Sequence, residues 1–135
     1  MTPLVWMFLQ VYEKLRNYII NNKNISSLIQ LEYSAFSEAT VPICTFVLIN
    51  NNIKYNGTYL KLSEFLGGMN TQKEKVLESI NKTVNFKFIS NIQNFRKIPG
   101  TPIAYWVSRN IINCFDNNNL KSTSTAISGM TTGNN

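Results

Sequence analysis

The sequence predicts an α/β chain: a helix laid against a sheet edge that ends in a hairpin, followed by an irregular α+β segment. Three observations carry this. Apolar side chains recur at helical spacing behind Thr2-Pro3, residues 41–50 form a run of β-branched and aromatic side chains, and Asn- and Gly-containing turn signals precede an alternating stretch over 58–62.

Thr2 offers an N-cap hydroxyl and Pro3 a first helical position, so a helix is expected over residues 3–21, with Leu4, Phe8, Val11, Leu15 and Tyr18 on its buried face. Gln10, Glu13, Lys14 and Asn17 fall on the opposite face, and Asn21-Asn22 supplies the stop. An in-plane membrane helix would need more basic residues on that polar face. Strands are expected over 28–33 and 41–50, the second apolar enough to be buried on both faces, with Pro42 near its start where a missing N–H is tolerated. Asn50-Asn51-Asn52 or Asn56-Gly57 then turns the chain, which makes 41–62 a hairpin.

Beyond Gly67-Gly68 the character changes. Thr71 and Glu74 have capping-box spacing for a short helix through Ile80, and 86–89 reads as a brief strand. The stretch Ile98-Pro99-Gly100-Thr101-Pro102 cannot be regular helix or central strand. Residues 103–107 are expected to be extended, and Ser108 to cap a helix carrying Ile111, Ile112 and Phe115. From Asn117 the chain is Asn, Ser, Thr and Gly with few apolar residues, which reads as a frayed tail or a domain cut short.

Composition narrows the chemistry. The 135 residues fit one small domain or a piece of a larger one, and they contain no His and two Cys, Cys44 and Cys114. Without His, the Ser-His-Asp and Cys-His mechanisms are excluded, and seven scattered carboxylates with two Cys make no metal site. The net charge of +6 favours an anionic partner, although only Arg16, Arg96 and Arg109 among the 13 basic residues are Arg. Residues 1–12 are apolar but lack a basic start and a cleavage site, and no stretch reaches the roughly 20 apolar residues that span a membrane. A reducing cytoplasm is the expected compartment. The Asn runs read as nucleotide composition bias.

Few residues can carry chemistry. No glycine pattern fits a phosphate loop. Glu74 and Glu78 stand four apart among Lys73, Lys75 and Lys82, which is the pattern of a solvated helix face, and Cys44 inside an apolar strand behaves as a small hydrophobe. Phe36 lies in a short break between two strands, where it either folds back onto the core or offers a π-face to a base. Tyr105-Trp106 has the same two readings.

Three stretches carry a resemblance: Trp6-Met7-Phe8 with Tyr12-Glu13-Lys14-Leu15-Arg16; Leu31-Glu32-Tyr33-Ser34-Ala35-Phe36 running on to Thr40-Val41-Pro42-Ile43-Cys44-Thr45-Phe46; and Ile98-Pro99-Gly100-Thr101-Pro102 to Ser108. In this order and spacing the chain resembles the adenine-specific DNA methyltransferases of type 1 BREX phage-defence systems, almost end to end. Thr132-Gly133-Asn134-Asn135 resembles a Thr-Gly-Asp-Asn stretch of that family, with Asn134 in place of the acid. The resemblance implies a partial Rossmann-like, S-adenosylmethionine-dependent methyltransferase sheet. Residues 1–66 would be the distal part of the methyltransferase domain, and 67–135 a linker and the start of the target-recognition region.

It further implies methyl transfer to the exocyclic amine of adenine in double-stranded DNA, the base being flipped out of the duplex, with other phage-defence proteins as possible partners. The family's Asn-Pro-Pro-Tyr motif and its cofactor-binding Gly loop are absent from this sequence and precede Met1 in the family's order, so no catalytic or cofactor-binding residue is assigned here. Met1-Thr2-Pro3 matches the end of a strand in that order. The isolated chain is therefore expected to be inactive and to fold poorly. Phe36 matches the aromatic of the Phe-x-x-Ala-x-Val-Pro pattern that stacks on the flipped base, while Arg96, Lys97 and Arg109 are candidate DNA contacts. The competing readings are a non-catalytic DNA- or protein-binding module and a subunit completed by a second chain.

Overall fold

A computed structural model describes residues 1–33, 35–36 and 41–116 of the chain. Its strands are β1 (Thr2–Pro3), β2 (Asn24–Gln30), β3 (Ile43–Ile49), β4 (Asn56–Lys61) and β5 (Lys87–Asn91); its α-helices are α1 (Glu13–Asn22), α2 (Gly68–Asn81) and α3 (Arg109–Cys114). One mixed sheet runs in the order β1-β3-β2-β4-β5, in which only β2 and β4 are parallel.

The expected helix over 3–21 is the first correction. Thr2 and Pro3 pair with Cys44 and Ile43 as an edge strand, two 3₁₀ turns follow at Leu4–Met7 and Gln10–Tyr12, and only Glu13–Asn22 is α-helical. Thr2 thus opens a short edge strand and caps no helix. The buried face also differs from the spacing argument: Phe8, Val11, Leu15 and Tyr18 are exposed, while Trp6, Met7, Arg16, Ile19 and Ile20 are buried. Arg16 explains the break. Its guanidinium donates to the carbonyls of Trp6 at 2.8 Å, Leu9 at 2.7 Å and Gly100 at 2.7 and 3.1 Å. A continuous helix would have used the first two of these carbonyls itself.

The expected hairpin over 41–62 is the second correction. β3 and β4 both pair with β2, one on each edge, so β2 lies between them. Residues 50–55 cross the start of β2, and Asn24, buried there, fastens the crossing by donating to the carbonyls of Asn51 at 2.8 Å and Ile53 at 3.1 Å. Asn50 and Asn52 bond to Lys23 and to the Asn21 carbonyl. The Asn run that read as composition bias therefore closes this crossover. Gly57 is required on the paired strand, since a Cβ there would come within 2.2 Å of the Ile25 carbonyl oxygen.

Smaller corrections follow the same physics. β2 starts at Asn24, four residues earlier than expected, and β3 is not buried on both faces, because Val47 and Leu48 are exposed. α2 begins at Gly68, which puts Thr71 inside the helix and leaves no capping box. Residues 103–107 are turns and coil, with the Ile103 N–H bonded to the Met7 carbonyl at 3.0 Å. The irregular stretch 98–102 has Gly100 and Thr101 at positive φ, and Ser108 caps α3 by accepting from the Ile111 N–H at 3.4 Å, both as expected.

The larger core joins Trp6, Met7, Ile20, Leu28 and Cys44 to Tyr59, Phe95, Ile103 and Tyr105. Alternation along β4 sends Leu60, followed by Leu62, to a second cluster with Phe86, Phe65 and Val76 beside α2. The chain before Gly67 and the chain after it share the first core. Cys44 is fully buried and accepts from the Trp6 indole at 3.3 Å.

Tyr59 and Tyr105 stack at 4.9 Å between ring centroids, and burial pushes both phenols well above their ordinary range; Cys44 adds to this at Tyr105. Each keeps its proton in the fold and loses it on unfolding above about pH 10. Stability is therefore intact below about pH 10 and falls above it, by up to about 2.7 kcal/mol per pH unit for the pair. Urea titrations between pH 8 and 11.5 should show this slope; a flat profile would mean that the phenols ionise in place. The Tyr59 hydroxyl has no hydrogen-bond partner among the described residues, whereas Tyr105 donates to Gln30 Oε1 at 2.9 Å. Tyr59→Phe is expected to be neutral or to stabilise by about 1 kcal/mol, and Tyr105→Phe to cost about 1–2 kcal/mol by leaving Gln30 unpaired, both measured by denaturant unfolding.

Candidate functional site

Because β2 and β4 are parallel and in register from Ser27/Thr58 to Gln30/Lys61, their carboxyl ends lie at one end of the sheet. Ligands of α/β sheets bind beyond such ends. The chain leaving β2 passes over this end: the Leu31 N–H bonds to the Ile43 carbonyl at 3.0 Å, and the Leu62 N–H to the Gln30 carbonyl at 2.9 Å. Leu31 and Ala35 are buried, Tyr33 is 57% exposed and Phe36 is partly exposed.

Glu32 fixes the base of this loop. Its side chain is almost fully buried, and its carboxylate accepts from the N–H of Gly68, the first residue of α2, where the helix dipole favours negative charge. Gln72 completes the clamp, accepting from the Glu32 N–H at 3.4 Å and donating to the Phe65 carbonyl at 2.7 Å. Gly67 and Gly68 have φ of +130° and +70°, which only glycine adopts readily, and a Cβ on Gly67 would lie 2.3 Å from Thr71 Oγ1. The loop that leads to Phe36 is thus anchored at Glu32, with Ala35 buried and Phe36 partly exposed. Spacing gave no hint of Glu32, because its partner is 36 residues away; an acid two residues past the end of β2, set against a Gly-Gly pair, was the available signal.

The other candidates separate. Tyr105 is buried against Tyr59 and is unavailable for base stacking, which corrects one of its two readings, while Trp106 is 38% exposed with Lys61 Nζ 5.9 Å from its ring centroid. Arg96 donates to Asn21 Oδ1, and Lys97 is ion-paired with Asp116 at 2.5 Å. Arg109, first in α3, is exposed. It lines a cleft of about 460 Å³ with Asn56, Ser90 and Asn91, at the opposite end of β4 from the Phe36 loop. The structure therefore does not gather the three cations around Phe36. On α2, Lys75 and Glu78 form a partly exposed ion pair at 2.7 Å, and the hydrogen bond from Lys75 holds the Glu78 carboxyl below its usual range. Among the described residues no group of three or more His, Cys, Asp or Glu could hold a metal ion, and no helix is long and apolar enough to cross a membrane.

An apolar groove of about 410 Å³ lies on the other flank, lined by Pro3, Trp6, Leu15, Ile19, Phe46 and Leu48 among others. It joins the exposed face of α1 to β3 beside the edge strand β1.

No family model matches the chain. It is 32% identical over 136 residues to the adenine-specific methyltransferase PglX of Lacticaseibacillus casei (strain Zhang), covering 96% of this chain and 11% of that protein. It is 33% identical over 115 residues to the adenine-specific methyltransferase BrxX of Escherichia coli O9:H4 (strain HS), covering 82% of this chain and 9% of that protein. The chain spans about a tenth of the length of the curated relatives it matches.

Proposed function

This chain belongs, over the stretch that it spans, to the family of the adenine-specific methyltransferases PglX and BrxX, and from that premise we propose that it forms the base-stacking part of an enzyme methylating the exocyclic amine of adenine in DNA, within a phage-defence system. The observation that carries the reading is the similarity over nearly the whole chain, together with a loop aromatic, Phe36, at the carboxyl ends of parallel strands. S-adenosylmethionine would supply the methyl group. Among the residues of this chain no cofactor loop or Asn-Pro-Pro-Tyr motif occurs, so binding the donor and orienting the amine fall to other parts of the enzyme.

The part played by these residues is to hold the extruded base. Phe36 stacks on it, and the Glu32–Gly68 anchor keeps the ring at the sheet's rim at little entropic cost when the base arrives. Residues 1–66 contribute to the methyltransferase domain and 67–135 lead to target recognition. The partial sheet is Rossmann-like in this reading, and the parallel β2/β4 pair supports it.

A second reading, a subunit completed by another chain, draws support from the apolar groove beside β1, which a further layer of the sheet domain would cover. One experiment addresses both. The 135-residue chain and a polypeptide carrying the cofactor loop and Asn-Pro-Pro-Tyr are incubated with labelled S-adenosylmethionine and DNA, separately, mixed and fused. Transfer by the fusion alone supports one continuous enzyme, transfer by the mixture supports the split form, and no transfer in any arm contradicts the function.

A further inference from the structure

We infer that the polar cleft between the start of β4 and the end of β5 is a docking site for the phosphate backbone of duplex DNA, with Lys54 and Arg109 as its charged contacts. The inference rests on the reading that DNA is the substrate and adds a surface remote from the base-stacking loop. Lys54 and Arg109 line one cleft of about 460 Å³ with the amide side chains of Asn56, Asn91 and Asn94. A smaller neighbouring cleft shares Lys54 and Asn91 and adds Asn52, Gln93 and Arg96. No carboxylate lines either one, and among the described residues neither Lys54 nor Arg109 has a hydrogen-bond or ion-pair partner. Two unneutralised cations beside neutral amide donors form a surface that matches phosphodiester oxygens, which accept from Arg, Lys and Asn alike.

Position separates the cleft from the base site. Asn56 pairs with Asn91 at one end of β4, and Lys61 pairs with Gln30 at the other, where the Phe36 loop begins. Five steps along a strand are roughly 17 Å. The cleft therefore meets backbone flanking the target adenine, on the order of five nucleotides away at 3.4 Å per nucleotide along one strand.

The test measures binding of a fluorescent 25-base-pair duplex to the intact enzyme by anisotropy across a salt series, beside its double variant Lys54→Gln/Arg109→Gln. A control, Lys14→Gln/Lys73→Gln, removes the same charge from exposed helix positions outside the cleft. The cleft variant should bind about tenfold or more weakly, with the slope of log affinity against log salt shallower by about 1.8, as expected for two lost phosphate contacts. The control should bind within about twofold of the parent, and Lys54→Arg/Arg109→Lys should restore most of the loss. Equal losses in the cleft and control variants overturn the site, as does no duplex binding by the parent enzyme. Inorganic phosphate at matched ionic strength should leave duplex binding unchanged; displacement of the duplex from the parent but not from the cleft variant would assign the site to free phosphate instead. Methyl transfer is read separately: DNA methylation by the intact enzyme that is indifferent to the cleft variant overturns the cleft alone, and absence of DNA methylation overturns the functional reading.

Discussion

Phe36→Ala in the intact enzyme should lower methyl transfer to DNA roughly 5- to 150-fold, the kinetic equivalent of about 1–3 kcal/mol of lost base stacking. The fold should survive, because the ring is only partly buried and the loop's anchor is the Glu32 carboxylate on the Gly68 N–H. Phe36→Trp should keep most of the activity, since a larger π-face still stacks. A duplex carrying 2-aminopurine at the target position separates this role from a packing role. The parent enzyme should raise its fluorescence on extrusion, and the Ala variant should show a smaller population of extruded base with an unchanged melt. Unchanged turnover and extrusion in the Ala variant would remove Phe36 from the site.

The largest stability effect is expected at Arg16. Arg16→Met fits an apolar chain into the same space but deprives the carbonyls of Trp6 and Gly100 of their donors, while the Leu9 carbonyl keeps the Tyr12 N–H at 3.1 Å. Each unsatisfied buried carbonyl costs about 1–3 kcal/mol, and part of that cost is relieved where water reaches the site, so a loss of about 2–4 kcal/mol is expected for the two. That is a large share of a small domain's stability. Burial also lowers the guanidinium pKa, with Glu13 acting in the opposite direction, but the group remains charged at neutral pH. Arg16→Lys should recover little, because an ammonium cannot span three carbonyls held by a planar fork. Urea unfolding followed by fluorescence of the tryptophans, Trp6 being buried, reads the effect; a loss below about 1 kcal/mol would show that the Trp6 and Gly100 carbonyls are satisfied without Arg16.

Arg16 also shows why the start of the chain was only partly legible. Apolar spacing placed Leu4, Phe8, Val11 and Leu15 inside, yet a buried cation that takes the Trp6 and Leu9 carbonyls breaks the helix and leaves Trp6, Met7, Ile19 and Ile20 as the buried residues. Pro3 reads equally well as a helix start and as an edge-strand residue, and its choice is made by pairing with Ile43, forty residues on. Long-range pairing likewise decided the strands. Residues 41–62 contain everything a hairpin needs locally, but Asn24 holds the 50–55 crossing over β2 and inserts that strand between the two. Local signals that closed on themselves, such as the Ser108 cap of α3 and the irregular stretch before it, were read directly.

The candidate site divides in the same way. Phe36 was legible because a large aromatic between two strands marks a sheet end, and the family resemblance gave it a role. The anchor at Glu32 and the cation at Lys54 were not, since one depends on a helix that begins 36 residues later and the other on a cleft formed with β5 and α3.

The central claim, that this chain is part of an adenine-specific DNA methyltransferase, is tested most directly by the nucleosides of its product. Unmethylated DNA incubated with the intact enzyme and S-adenosylmethionine is digested and analysed by mass spectrometry. The account predicts N6-methyldeoxyadenosine that depends on both enzyme and donor and falls with Phe36→Ala. Methylated cytosine in its place, or no methylated base from a folded enzyme that binds the donor, would contradict it.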